Sequence, residues 1–193
     1  GNASNTVFSG VISSTNTSGI TKVGSGTLAL SGANTYTGAT TVSAGKLLLQ
    51  GGSAIADSSA VTINAGAELE LRDSETVGNL TGAGSLTLNG GSLTTGGKNT
   101  DTTFSGVIQD GGNGGGLTKV GTGTLTLSGS NTITGGTDLV GGTIVAESVS
   151  ALGSSDISLA SGTILDLAAS GIFANSIELA ANAKINVGTG ISA

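Results

Sequence analysis

The side chains that could do chemistry are few and cluster in one place. The densest group of charges comprises Glu68, Glu70, Arg72, Asp73 and Glu75. Paired carboxylates can divide general acid and general base roles, as in glycoside hydrolysis. In an alternating strand Glu68 and Glu70 point to the same side, which we expect to be the solvent side. The pattern favours a solvated strand face and its turn over a carbohydrate-active site.

Other catalytic classes lack their essential residues. The sequence has no His and no Cys, which removes Ser-His-Asp and Cys-His systems and the imidazole and thiolate metal ligands. The glycine-rich run from Asp110 to Gly116 lacks the repeated GGxGxD pattern of calcium-binding β-helices, so we predict a flexible loop. Lys22 and Lys119 recur at equivalent positions, where structural or surface roles are favoured over ligand binding. We predict no enzymatic activity, no catalytic residue, no cofactor and no metal.

The composition restricts the remaining classes of protein. The chain has 193 residues with 36 glycines, no proline, 36% hydrophobic residues and 2% aromatic residues. This content of apolar residues is too high for a glycine-rich linker, and collagen requires proline and a strict period. The net charge of −6 disfavours nucleic acid as a partner. We expect the chain to be a segment of a longer, processed protein.

A long repeat and a short repeat organise the elements that position these residues. The segment from Thr21 reads TKVGSGTLALSGANTYTG, and 97 positions later the segment from Thr118 reads TKVGTGTLTLSGSNTITG. Similar sequences around Phe8 and Phe104 extend the likeness. We therefore predict a single unit over residues 1–193 with an internal duplication, approximately 8–97 and 104–193.

The short repeat is a small residue, a polar residue and an aliphatic residue at intervals of about twenty. Alternation after most of these triplets predicts short strands, and glycines supply positive-φ corners. Strands stacked about 4.8 Å apart could pool their aliphatic faces. We predict an all-β right-handed parallel β-helix (β-solenoid) of about nine to ten rungs, in preference to an antiparallel sandwich. The aliphatic positions are Leu28, Leu47, Leu69, Leu86, Val107, Leu125, Ile144, Ile164 and Ile185.

Both copies of the long repeat resemble the passenger-associated transport repeat of autotransporters. The resemblance implies a type V secretion passenger that is carried across the outer membrane by the barrel of its parent protein and folds as a right-handed β-helix on the bacterial surface. The second copy departs from the pattern at Ile133 and Asp138, where the first has Tyr36 and Thr41. Asn34 and Asn131 are predicted to bond neighbouring backbone in matching turns. The motif residues are Gly24, Gly26, Thr27, Leu28, Leu30, Gly32, Asn34, Gly38, Gly45 and Leu47, and then Gly121, Gly123, Thr124, Leu125, Leu127, Gly129, Asn131, Gly135, Gly142 and Ile144.

Three functions stay open at this point. The favoured one is a secreted structural or adhesive segment at the bacterial cell surface, acting as a stalk or contact surface and aiding passenger folding and secretion. Its partner would be a host or bacterial surface receptor, or another copy of itself. The second is a subunit that assembles head to tail into a filament. The third, less favoured, is a carbohydrate-active β-helix enzyme that uses the Glu68–Glu75 cluster.

Overall fold

The computed structural model describes residues 3–188, which form short strands joined by tight corners. These residues contain no helix, and so no helix long and apolar enough to cross a membrane. In chain order the strands are Thr6–Phe8 (β1), Ile20–Lys22 (β2), Thr27–Leu30 (β3), Thr40–Val42 (β4), Lys46–Leu49 (β5), Ala60–Ile63 (β6), Glu68–Leu71 (β7), Glu75–Thr76 (β8), Asn79–Gly82 (β9), Ser85–Leu88 (β10), Leu93–Thr95 (β11), Thr102–Phe104 (β12), Val107–Gln109 (β13), Leu117–Lys119 (β14), Thr124–Leu127 (β15), Thr137–Leu139 (β16), Thr143–Ala146 (β17), Ile157–Leu159 (β18), Ile164–Leu167 (β19), Ile177–Leu179 (β20) and Lys184–Val187 (β21).

The strands form three parallel sheets that the chain visits in turn. Sheet 1 has the order β1-β3-β5-β7-β10-β13, sheet 2 runs β2-β4-β6-β9-β12-β15-β17-β19-β21, and sheet 3 runs β8-β11-β14-β16-β18-β20. One circuit of the chain through sheets 2, 1 and 3 is called a rung below. The predicted parallel β-solenoid is confirmed, and the nine strands of sheet 2 mark about nine rungs.

The core is a set of aliphatic columns that run through the rungs. In sheet 1, Leu28 pairs with Leu47, which pairs with Leu69 and then with Leu86 in the successive strands. The last three of these side chains are fully buried. Because one strand buries only one face, each column exists only when several rungs stack.

Two of the predicted aliphatic positions are wrong by one residue. Leu86 pairs with Ile108, and Ile144 pairs with Leu165; both partners are buried, whereas Val107 is 38% exposed and Ile164 half-buried. A one-residue shift reverses which face a side chain occupies, and both strands offer two adjacent aliphatic residues.

The predicted positions also do not form one column. The five from Leu28 to Val107 lie in sheet 1, whereas the four from Leu125 to Ile185 lie in sheet 2. The shift from sheet 1 to sheet 2 occurs because a different side of the solenoid is covered by a connection without a strand. Residues 31–39 and 50–59 cover the sheet-3 side early in the chain, and residues 128–136 and 147–156 cover the sheet-1 side later. Among the rungs formed by residues 3–188, only the middle ones carry strands on all three sides.

A column of threonines runs along the outer face of sheet 2. Its register places Thr21, Thr41, Thr62 and Thr81 side by side, and Thr103 and Thr126 continue the column. The hydroxyls of Thr62 and Thr81 are 2.9 Å apart and share a hydrogen bond. Threonine suits this position because its branched side chain packs well on a pleated surface.

Glycines serve two different purposes in the solenoid. The predicted positive φ occurs at the corner residues Gly24 and Gly121, with values of 77° and 72°. Gly32 and Gly129 do not have positive φ; a Cβ on either would collide with the carbonyl oxygen of Gly10 or Gly106 in the preceding rung. At these positions glycine permits two stacked backbones to approach closely.

Candidate functional site

The duplicated segments contain the most specialised interior contacts of the chain, beginning with two buried lysines. Lys22 is 6% exposed and Lys119 is 1% exposed. The Lys22 Nζ donates hydrogen bonds to the carbonyls of Val23 and Gly24 in its own corner and of Ala44 in the next rung, at 3.1, 2.7 and 2.9 Å. Lys22 therefore joins two successive corners, so of the predicted structural or surface roles the structure shows the structural one.

Lys119 repeats this arrangement. Its Nζ donates to the carbonyls of Val120, Gly121 and Gly141 at 2.7, 3.1 and 3.1 Å. Burial lowers the pKa of the Lys119 amine, while the Asp101 carboxylate acts in the opposite direction. Burial likewise lowers the pKa of Lys22. The acceptors around both amines are carbonyl groups, which satisfy the three donors of an ammonium group without an ion pair.

Two buried asparagines connect three rungs each, which confirms the predicted contacts with backbone. Asn34 Oδ1 accepts from the amide of Ile12 in the rung before, and its Nδ2 donates to the carbonyl of Ala54 in the rung after, both at 2.7 Å. Asn131 makes the same pair of bonds, with the Ile108 amide at 2.7 Å and the Ala151 carbonyl at 2.6 Å. Both asparagines lie on the side of their rung that carries no strand, where side-chain bonds supplement the backbone ladder.

The two copies differ in one interior contact. Tyr36 is 1% exposed, and its hydroxyl shares a 2.6 Å hydrogen bond with Thr40 Oγ1, which is 3.2 Å from Ser59 Oγ. In the second copy Ile133 occupies the position of Tyr36. The equivalent Thr137 Oγ1 is buried without a hydrogen-bond partner. The departure at Ile133 thus removes a hydroxyl that satisfied a buried neighbour.

The copies also face in different directions. The first places its strands in sheets 2, 1, 2 and 1 (β2 to β5), whereas the second places its strands in sheets 3, 2, 3 and 2 (β14 to β17). Equivalent residues are therefore displaced by one side of the solenoid as well as by several rungs. Of the predicted second unit, residues 189–193 lie outside the described residues.

The acidic cluster is only partly a surface feature. Glu68 and Glu70 point outward, opposite the buried Leu69 and Leu71, as predicted, but Glu70 is only 7% exposed and is not solvated as expected. Lys46 Nζ lies 3.1 Å from Glu68 and 2.7 Å from Glu70, and Arg72 lies 3.4 Å from Glu70. Burial raises the pKa of Glu70, but hydrogen bonds from Lys46 and Asn89 outweigh it, so the pKa lies below the ordinary value. A carboxylate held ionised in this way is poorly suited to be a general acid.

Glu75 does not share the solvated face predicted for it. It is 2% exposed, and its carboxylate accepts hydrogen bonds from the amides of Ile55 at 2.8 Å and Ala54 at 3.2 Å. Burial raises its pKa, partly offset by those two bonds, and the nearby Asp57 and Asp73 raise it further. The side chain satisfies backbone donors in a segment without a strand, so it stands apart from Glu68 and Glu70.

The glycine-rich run forms a loop, as predicted, and this loop is anchored at its first residue. Asp110 is fully buried, and its carboxylate accepts from the amides of Gly112 at 2.9 Å and Thr134 at 2.8 Å and from the Thr134 hydroxyl. Burial raises its pKa, but these bonds and one from the Gly114 amide outweigh it and leave the pKa below the ordinary value. Residues 3–188 contain no cluster of metal-ligating side chains.

The depressions on the described surface are shallow. One of about 540 Å³ lies along the corner between sheets 2 and 1 and includes Glu68, Ser85 and Gln109. No aromatic side chain lines it, so it lacks the stacking platform typical of sugar binding.

Comparison with known families identifies the duplicated segments. The chain matches the passenger-associated-transport-repeat family twice, over residues 20–49 and 117–146. These matches cover about a third of the chain and coincide with the segments that contain the lysine and asparagine contacts. The chain therefore carries two transport repeats on a β-solenoid, which fits a segment of an autotransporter passenger. Comparisons with curated proteins and with solved structures found no significant match.

Sequence reasoning located the asparagines but did not place the lysines in the interior. Lysine is seldom fully buried without a partner, so its residue type argued for the surface. The available signal was position: Lys22 is two residues after the apolar Ile20, on the face of the strand that turns inward.

Proposed function

We propose that this chain is a secreted structural segment of an autotransporter passenger, acting as a stalk or contact surface outside the cell and aiding passenger folding and secretion. The observation that carries the proposal is the pair of transport repeats within a continuous stack of parallel rungs. The paired carboxylates Glu68 and Glu70 are bound to Lys46, which favours a structural role over a catalytic one.

The role in secretion has a physical basis in the core columns. Each rung that folds outside the membrane buries aliphatic area and opposes backward movement of the chain, at about 25 cal/mol for each Å² of apolar surface. No catalytic residue is needed for this effect. The outer faces, with their threonine column and few charges, offer hydroxyl and methyl groups for many weak contacts with a receptor or with another copy.

The test is surface delivery of the chain when it is expressed with a signal peptide and a type V translocation barrel. Replacing Leu28, Leu30, Leu125 and Leu127 by Asp should strongly reduce the amount at the cell surface, because it places charges in the core columns. The control is Asp at Thr21 and Thr126, which are on outer faces of the same repeats. The proposal would be refuted if the leucine variant reached the cell surface in the same amount as the unmodified chain.

A second candidate is head-to-tail association of copies into a filament. The described rungs stack through parallel sheets, and a parallel sheet can be extended by the matching strands of another copy. Light scattering and electron microscopy would detect rods that lengthen with protein concentration, and short rods at every concentration would exclude this function.

A further inference from the structure

We infer that the two transport repeats act through interior contacts that clamp neighbouring rungs together, and not through a surface that a partner recognises. The inference rests on the proposed role in secretion and specifies which residues serve it. The clamp of each copy is one lysine and one asparagine: Lys22 with Asn34, and Lys119 with Asn131.

The orientation of the copies argues against a shared recognition surface. A partner that reads both copies at once requires them on one face. The strands of the first copy lie in sheets 2 and 1, whereas those of the second lie in sheets 3 and 2. Equivalent outward residues, such as Thr27 in sheet 1 and Thr124 in sheet 2, therefore face different directions.

The interior contacts, in contrast, are the same in both copies. Each lysine binds two carbonyls of its own corner and one carbonyl 22 positions further on. Each asparagine binds one amide 22 or 23 positions before it and one carbonyl 20 positions after it. The hydrogen bonds of the lysines and asparagines are the same on different sides of the solenoid, because they require stacked rungs and not a particular sheet.

The clamp also explains why these polar residues lie in the interior of the solenoid. Burial of an amide or ammonium group costs free energy when its hydrogen-bond partners are missing. When all partners are present, the directional hydrogen bonds favour one arrangement of the neighbouring rungs. A rung stacked out of register would leave the Asn34 amide or the Lys22 ammonium group unsatisfied. The four residues therefore favour one register of stacking in the rungs that contain them.

The experiment compares interior residues of the repeats with exposed residues. The clamp variants are N34A/N131A and K22M/K119M. The matched controls are T35A/T132A, whose side chains are exposed immediately after the asparagines, and K184M, an exposed lysine outside the repeats. Each is measured in two ways: the urea midpoint of the purified chain, and surface delivery with a type V barrel.

The clamp predicts that N34A/N131A and K22M/K119M each lower the urea midpoint and reduce surface delivery several-fold, while T35A/T132A and K184M leave delivery within about twofold of the unmodified chain. Reduced delivery of T35A/T132A at an unchanged midpoint would overturn the inference in favour of a surface that is recognised. An unchanged midpoint in both clamp variants would overturn it too. A lowered midpoint with normal delivery would also overturn it, whereas the proposed role in secretion fails only if the leucine variant is delivered normally.

Discussion

At the scale of single residues, the interior of this solenoid contains polar groups whose partners decide what they contribute. Thr40 and Thr137 occupy equivalent interior positions and are both fully buried. Thr40 Oγ1 has Tyr36 and Ser59 as partners, whereas Thr137 Oγ1 has none. The hydroxyl of Thr40 should therefore stabilise the first transport repeat, whereas the hydroxyl of Thr137 should destabilise the second.

This contrast can be measured with one substitution in two places. T40V should lower the free energy of unfolding by about 1–2 kcal/mol, because it removes a hydroxyl and leaves Tyr36 without its partner. T137V should be neutral or stabilising, because it replaces an unsatisfied buried hydroxyl with a methyl group of similar shape. Urea unfolding of both variants checks the prediction, and equal losses would contradict it.

The two most deeply buried carboxylates, Glu75 and Asp110, should respond to pH in opposite ways. Glu75 has a pKa raised above 4.5 by burial, so the folded chain holds this proton more tightly than the unfolded chain. Its contribution to stability is then greatest at low pH and declines as the pH rises through the folded pKa. Asp110 has a pKa lowered below 3.8, so its contribution is present above that value and declines as the pH falls through the folded pKa.

Two amide variants test these signs. The stability of E75Q relative to the unmodified chain should increase as the pH rises from about 4 to about 7. D110N should lose relative stability as the pH rises from about 2 to about 4, because only the unmodified chain gains the bonds to an ionised carboxylate. Urea midpoints measured across pH would refute the assignment if the two differences changed in the same direction.

At the scale of strands and corners, backbone approach limits the sequence as firmly as the core does. Gly129 lies against the carbonyl of Gly106, leaving no space for a Cβ, whereas Gly97 has open space around that position. The stacking of rungs requires glycine at position 129 and tolerates other residues at position 97.

Alanine substitutions at these two glycines should separate the effects. G129A should cost about 2 kcal/mol or more, because the new methyl group forces two stacked backbones apart. G97A should be neutral or stabilising by up to about 1 kcal/mol, because it mainly restricts the unfolded chain. Thermal and urea unfolding provide the measurement, and a stable G129A protein would show that the rungs can separate without cost.

The strands could be predicted from the sequence, but the sheet to which each strand belongs could not. Alternation in Thr27–Leu30 and Thr124–Leu127 predicted both strands correctly. The sequence of either strand does not specify its sheet, because each has the same period of two and the same corner before it. The change of side depends on where a long connection replaces a strand, and the same motif forms this connection on the sheet-3 side in residues 31–39 and on the sheet-1 side in residues 128–136. The one-residue errors at Val107 and Ile164 arose where two adjacent aliphatic residues competed for the inward face.

At the scale of the whole molecule, the solenoid is a linear array in which each rung contacts the rungs on either side. Stability in such an array is approximately a sum over rungs and their interfaces. A complete rung should therefore be removable, whereas part of a rung should not.

Removal of residues 143–163 tests this property. The deletion joins Gly142 to Ile164, which then occupies the register position of its pairing partner Thr143. The shortened chain should fold with a β-sheet circular dichroism spectrum and a lower urea midpoint. Deletion of residues 143–152 alone shifts every later strand to a different side, and it should abolish cooperative unfolding. Equal behaviour of the two deletions would contradict a rung-by-rung array.

The lysine contacts have a further consequence for resistance to proteases. Trypsin-like proteases cleave after Lys or Arg in an extended, accessible segment, and the sequence has only six such residues. Lys22 and Lys119 are buried, and Lys46 is bound to two glutamates. In the folded chain, cleavage by such enzymes is thus confined mainly to Arg72, Lys98 and Lys184. The contacts that bury Lys22 and Lys119 should therefore also protect the folded chain from trypsin-like proteases, since they remove two of the six cleavage positions.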